Sequence, residues 1–150
     1  MMTLLDLLTI AGTGLMVGNE IAIAAFVHPA ISKLKAQSHL SAAKSIAAPL
    51  GRVMPLWYGL GLLMLSAEAW GHRSHAEPFH LLAVAAVLWA ATIIFTIVAL
   101  VPRNNRIAAS DPLQPYVGWQ RDRRTWDALH RVRVAVLTLA FLLLLIAILR

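Results

Sequence analysis

Four apolar stretches separated by short polar ones run along this chain, over about residues 4–28, 53–70, 81–101 and, with a polar lead-in, 119–149. A hydrocarbon core of about 30 Å takes roughly 20 helical residues to cross, so each stretch is a candidate span. Lipid offers no hydrogen bonds to the backbone, so the spans are predicted as helices rather than strands. Four helices in 150 residues predict an all-α fold: an integral membrane four-helix bundle, one domain over residues 1–150, with short connections. Between helices one and two, Ser38 to Ala48 spaces Leu40, Ala43, Ile46 and Ala47 at helical intervals with Lys44 opposite. That pattern predicts a short helix lying on the membrane interface. Ser110-Asp111-Pro112 and Pro115 predict a turn. Helix four restarts near Val117 or Gly118 and carries Trp119, Trp126 and Arg133 on one face, seven residues apart.

Composition sharpens this picture. Hydrophobic residues make up 59% of the chain and charged residues 13%, against about 25% charged in soluble domains. The net charge of +6 invites a nucleic-acid partner. The cations instead cluster in two connections, and no nucleic-acid motif accompanies them. Lys33, Lys35, Lys44 and Arg52 mark the first connection; Arg103, Arg106, Arg121, Arg123, Arg124, Arg131 and Arg133 mark the third. Only Arg73 and Arg150 lie elsewhere. The positive-inside rule then predicts a multi-pass protein of the cell membrane with loops one and three cytoplasmic and both termini outside. Cysteine is absent, which excludes disulfides, thiolate nucleophiles and iron–sulfur clusters. The N-terminus lacks the basic start of a cleavable signal peptide, so the first span is expected to be retained.

Within the first span stands Glu20, beside Asn19. An acid at that depth is costly to insert, usually faces the bundle interior, and marks function by default. His28 follows eight residues later, about 12 Å along the helix, and closes it before Pro29. Asn104 follows helix three. His130 and Arg133, three residues apart, share a face at the entry to helix four. Trp57 begins helix two. These residues all fall in the cytoplasmic half and come from every helix, as a site in a bundle core requires. Glu20, His130, Arg133 and Asn104 are candidate catalytic residues, Trp57 and Trp126 candidate substrate contacts, and His28 and His130 candidate ligands for iron, copper or haem.

Each has a plainer role available. Arg133 can snorkel to the interface, the tryptophans can form an aromatic belt, Asn104 can cap its helix, and the histidines can be interfacial. Arg121, Asp122, Arg123 and Arg124 read as a solvated, topology-setting cluster. His72 and His75 are spaced to meet a metal, but the sequence offers them no further ligands.

The motifs Gly18-Asn19-Glu20, Phe26-Val27-His28-Pro29-Ala30, Val101-Pro102-Arg103-Asn104-Asn105-Arg106-Ile107, and Trp126 with His130 and Arg133 resemble those of the anthrone oxygenase-like family. The members are small four-span membrane proteins, mostly of unassigned role, and the likeness covers nearly the whole chain. The resemblance implies oxidation of a lipophilic, phenolic or anthrone-like molecule by dioxygen. A cofactor-free route would use His130 or Glu20 to abstract a proton alpha to a carbonyl, with Arg133 and Asn104 stabilising the enolate. A metal route would use His28 and His130 with Glu20, or a haem held by histidines of two helices. Against one shared ion, an unbroken helix sets Glu20 and His28 about 80° apart.

The other class of function is a non-catalytic membrane module, a small carrier or an assembly partner, in which Glu20 and Arg133 only fix helix register. Gly12-Thr13-Gly14, Gly18 and Gly59-Leu60-Gly61 permit close packing within or between chains, which leaves a homo-oligomer open. The expected partners are the lipid bilayer and a lipophilic small molecule.

Overall fold

The computed structural model describes residues 2–150. Helices α1 (Leu4–Ser32), α2 (Ala36–Gly71), α3 (Ala76–Ala109) and α4 (Trp119–Leu149) are each long and apolar enough to cross a membrane. No strand occurs among the described residues. The protein is a multi-pass, four-helix membrane bundle. Consecutive helices pack against one another, and α4 closes the ring on α1.

Burial is inverted relative to a soluble bundle. Leu15, Phe26, Leu56, Val87 and Val98 point outward, while Asp6, Thr9, Thr13, Glu20 and Glu68 are buried. That arrangement suits an exterior of lipid, with polar groups paired inside. The interior stripe of α4 runs His130, Arg133, Leu137, Ala140, Leu144, Ala147. In α1 the buried positions include Asp6, Thr9, Thr13, Met16 and Glu20. Both alternate steps of three and four, the spacing of a coiled-coil-like seam.

Close approach of α2 and α3 depends on Gly61. A Cβ there would lie 2.6 Å from a ring carbon of Trp89, whose side chain is fully buried. Trp89 Nε1 donates to the Tyr58 carbonyl at 3.0 Å, which fixes the stretch of α2 that carries the Tyr58 phenol.

Three helices run further than the apolar pattern predicts. Helix α1 passes through Pro29 and α3 through Pro102, and each proline is preceded by one π-helical turn, at Ile23–Val27 and Thr96–Leu100. A proline lacks an N–H and its ring crowds the carbonyl four residues back. A widened turn just upstream accommodates that loss without breaking the helix. Residues 38–48 are helical as expected, but they continue into α2 without a break, through Pro49 and Pro55. Packing holds this extension: Leu40 is buried against Ile107 and Trp119, and Lys44 Nζ donates to the Ser110 carbonyl at 2.5 Å. Gly118, at φ +93°, turns the chain into α4; that backbone region favours glycine.

Candidate functional site

At the end of the bundle that carries the 33–35 and 110–118 connections, all four helices enclose a cavity of about 280 Å³. Its polar wall begins with Glu20, 1% exposed. Glu20 Oε2 accepts from Arg133 Nη2 at 2.7 Å, and Oε1 accepts from the Tyr58 hydroxyl at 3.1 Å. Arg133 Nη1 donates to Thr96 Oγ1 at 3.2 Å, and Nη2 lies 3.0 Å from His130 Nδ1. One guanidinium thus joins α1, α3 and α4, and Glu20 extends the network to Tyr58 on α2.

This network decides the proton on His130. A guanidinium only donates, so Nδ1 must present its lone pair to Arg133 and the ring proton sits on Nε2. Glu20 Oε2 also lies near Nδ1, at 3.3 Å, but the shorter contact is with the arginine. His130 Nε2 is buried and meets no protein partner. In this arrangement it is a donor left without an acceptor and covered by its neighbours.

His28 sits beside it under the opposite constraint. Its Nδ1 lies 3.3 Å from Asp127 Oδ1, which in turn faces Arg123 Nη2 at 2.8 Å. This contact is not a formed hydrogen bond, since Asp127 Oδ1 has no hydrogen-bond partner; a proton on Nδ1 would suit the neighbouring carboxylate and leave the lone pair on Nε2. The two imidazole centroids are 5.0 Å apart. Trp126 stacks on His130 at 5.0 Å and meets His28 edge-on at 5.1 Å, so both rings are held. Glu20 faces Arg133 and Asp127 faces Arg123, so each buried acid has a cation beside it.

The π-turn makes this juxtaposition possible. One extra residue in the turn leaves Glu20 and His28 effectively seven α-helical positions apart, close to two full turns, instead of about 80° out of phase. Both therefore face the cavity.

Of the residues singled out by sequence, Glu20, His28, Trp126, His130 and Arg133 come together, and Asn104 lines the same cavity. Asn104 caps nothing, because α3 runs on to Ala109. Trp57 lies outside the lining. Its indole Nε1 donates to the Gly12 carbonyl at 3.0 Å and ties α1 to α2. Tyr58, Thr96 and Asp127 join the network from outside the sequence motifs. Asp127 carried a signal, being four residues from Arg123 and three from His130 on one stripe. Tyr58 and Thr96 carried none, as ordinary residues of apolar runs. Arg123, expected in solvent, is 5% exposed.

A metal or haem fits these residues poorly. The ligand atoms of Glu20, His28 and His130 do not converge into one three-ligand group, and the fixed charge of Arg133 sits between Glu20 and His130. Rings 5.0 Å apart are near contact distance, so no macrocycle passes between them. The ligand roles considered for His28 and His130 are not supported by this geometry.

No curated protein and no solved structure matches the chain. The profile of a family described as anthrone oxygenase matches residues 44–143, from within α2 through most of α4. It takes in Tyr58, Asn104, Asp127, His130 and Arg133 and leaves out Glu20 and His28. With two thirds of its length matched, and with a four-span bundle around a cavity that has one polar wall, the chain belongs to the anthrone oxygenase family.

Proposed function

We propose that this protein oxidises a lipophilic, phenolic, anthrone-like substrate with dioxygen inside the cavity, which opens toward the cytoplasmic half of the membrane. The observation that supports this best is the pair of buried imidazoles 5.0 Å apart at the cavity wall, one beside a carboxylate and the other beside a guanidinium. The cavity is at the small end of the roughly 300–1,000 Å³ of small-molecule sites. Met54, Ile93, Ile97 and Leu100 give it apolar walls, which suit a flat aromatic.

In this mechanism His28 Nε2 removes a proton from the methylene between the aryl rings. The electron pair moves to the carbonyl oxygen, which takes the hydrogen bond from His130 Nε2. Asn104 offers an amide on the same cavity wall. The carbanion passes its electrons to dioxygen and a carbon–oxygen bond forms, giving a hydroperoxide. Loss of the second methylene hydrogen with cleavage of the oxygen–oxygen bond releases water and leaves the quinone carbonyl. The balance is one methylene and one dioxygen to one carbonyl and one water. Abstraction, assigned from sequence to His130 or Glu20, falls here to His28. Glu20 and Arg133 position His130, and Asp127 positions His28.

An oxygen electrode with detergent-purified protein and anthrone tests this. The expected result is one quinone per dioxygen consumed, abolished in Ala47→Phe, which fills the cavity from α2 while leaving helicity unchanged. No turnover by well-folded wild-type protein would overturn the reading and favour the non-catalytic module.

The cavity end is also the end carrying eleven of the thirteen lysines and arginines, which supports a cytoplasmic position for it. The chain has no cysteine, so single introduced thiols report orientation cleanly. In sealed inside-out vesicles Gln37→Cys should react with an impermeant maleimide and Ser74→Cys should not. The reverse pattern would place the cavity outside.

A further inference from the structure

The geometry points to a second site, for a divalent cation, built by Asp6, Glu68 and His72 at the far end of the bundle from the cavity. Asp6 lies in the first turn of α1 and Glu68 in the last turn of α2, so antiparallel packing sets the two carboxyls side by side. His72 follows Glu68 by four residues, one helical turn. One ligand atom from each of the three lies within 4.8 Å of the other two. From Asp6 to Glu20 is fourteen residues, about 21 Å, so this cluster is separate from the cavity.

The carboxyls are left short of partners. Asp6 and Glu68 are 5% and 2% exposed. Asp6 Oδ2 accepts the Thr3 N–H at 2.6 Å as part of the helix cap. Its Oδ1 is buried and accepts from no other donor, and the Asp6 carboxyl meets that of Glu68. Glu68 Oε1 accepts the Thr9 hydroxyl at 3.0 Å, and Oε2 lies 3.8 Å from His72 Nδ1, beyond hydrogen-bond distance. Among the described residues no lysine or arginine pairs with either acid. Two adjacent buried carboxylates repel unless a proton or a cation lies between them, and a divalent ion neutralises both.

The donor set suggests which ion. His72 Nδ1 lies 2.9 Å from the Glu68 carbonyl and 3.8 Å from Glu68 Oε2, so the imidazole borders the acid pair directly. Two carboxylates and one imidazole suit zinc or manganese. The His72 side chain is 30% exposed, which gives an ion a way in from solvent. His72 and His75 looked poor in ligands because the missing ones come from α1 and from the preceding turn of α2. A bound ion staples the start of α1 to the end of α2.

Calorimetric titration of the detergent-solubilised protein with zinc chloride tests the site, with thermal unfolding alongside. One saturable equivalent per chain is expected, with a midpoint about 5–10 °C higher at zinc near 100 times Kd. His72→Ala, at a partly exposed position, should fold and lose both effects, and Glu68→Gln should lose them too. A His75→Ala/His80→Ala variant should keep them. No saturable binding by wild type, unchanged binding in His72→Ala, or loss in the His75→Ala/His80→Ala variant overturns the proposal.

Discussion

Replacing His28 with glutamine is expected to lower anthrone turnover about 10²–10⁴-fold, the range for loss of a positioned general base. Glutamine keeps similar bulk and an amide hydrogen for Asp127, but it has no basic nitrogen. His28 is 7% exposed, so a polar side chain of similar size should be tolerated and the helical signal should stay at the wild-type level. His130→Gln is the informative comparison. In the mechanism proposed, His130 only donates, and a glutamine amide also donates, so its loss should be distinctly smaller. Oxygen uptake and quinone absorbance on the two purified variants measure this directly. Turnover by His28→Gln within threefold of wild type would remove His28 as the base, and a larger loss in His130→Gln would exchange the two roles.

Arg133→Met is expected to destabilise the bundle by about 3–5 kcal/mol, the cost of leaving one member of a buried ion pair uncompensated. Methionine fills much of the volume, but Glu20 Oε2 would lose its 2.7 Å partner and retain only the Tyr58 hydroxyl on its other oxygen. Thr96 and His130 would lose donors as well. The double variant Glu20→Gln/Arg133→Met removes the stranded charge and should recover most of the loss, because a neutral amide can still accept from Tyr58. Denaturant unfolding in detergent of both variants and the wild type gives the two differences. A single variant within 1 kcal/mol of wild type, or a double variant no more stable than the single, would mean that the pair is not the tie between α1 and α4 that its geometry implies.

Much of this site was legible in the chain. Glu20 stood out because an acid in an apolar span needs a partner, and Arg133 was one of few cations that could lie at its depth. His130 followed from its place three residues before Arg133. The phase of His28 was not legible. An unbroken helix turns it away from Glu20, and only the π-turn ahead of Pro29 returns it to the same face. Proline suggested an end to α1 and to α3, yet both helices continue because the widened turn absorbs the missing donor. Arg123 looked like one of a solvated run, since neighbours in sequence say nothing about which helix face is covered. Trp57 shared the expected depth but not the face, and its indole went to the Gly12 carbonyl instead.

By itself the sequence determined the all-helical class, the number of spans and the presence of a polar interior. Those follow from composition along the chain, because lipid admits only internally bonded backbone and tolerates an acid only where it is paired. The tertiary structure alone decided which polar groups meet. Glu20 and Arg133 are 113 residues apart, and the base or donor character of each histidine depends on whether a carboxylate or a guanidinium packs against its Nδ1. The second cluster arises in the same way, from two helix ends that only antiparallel packing brings together. Such through-space partners leave no periodic trace in the chain, since one residue on each helix is enough to make them.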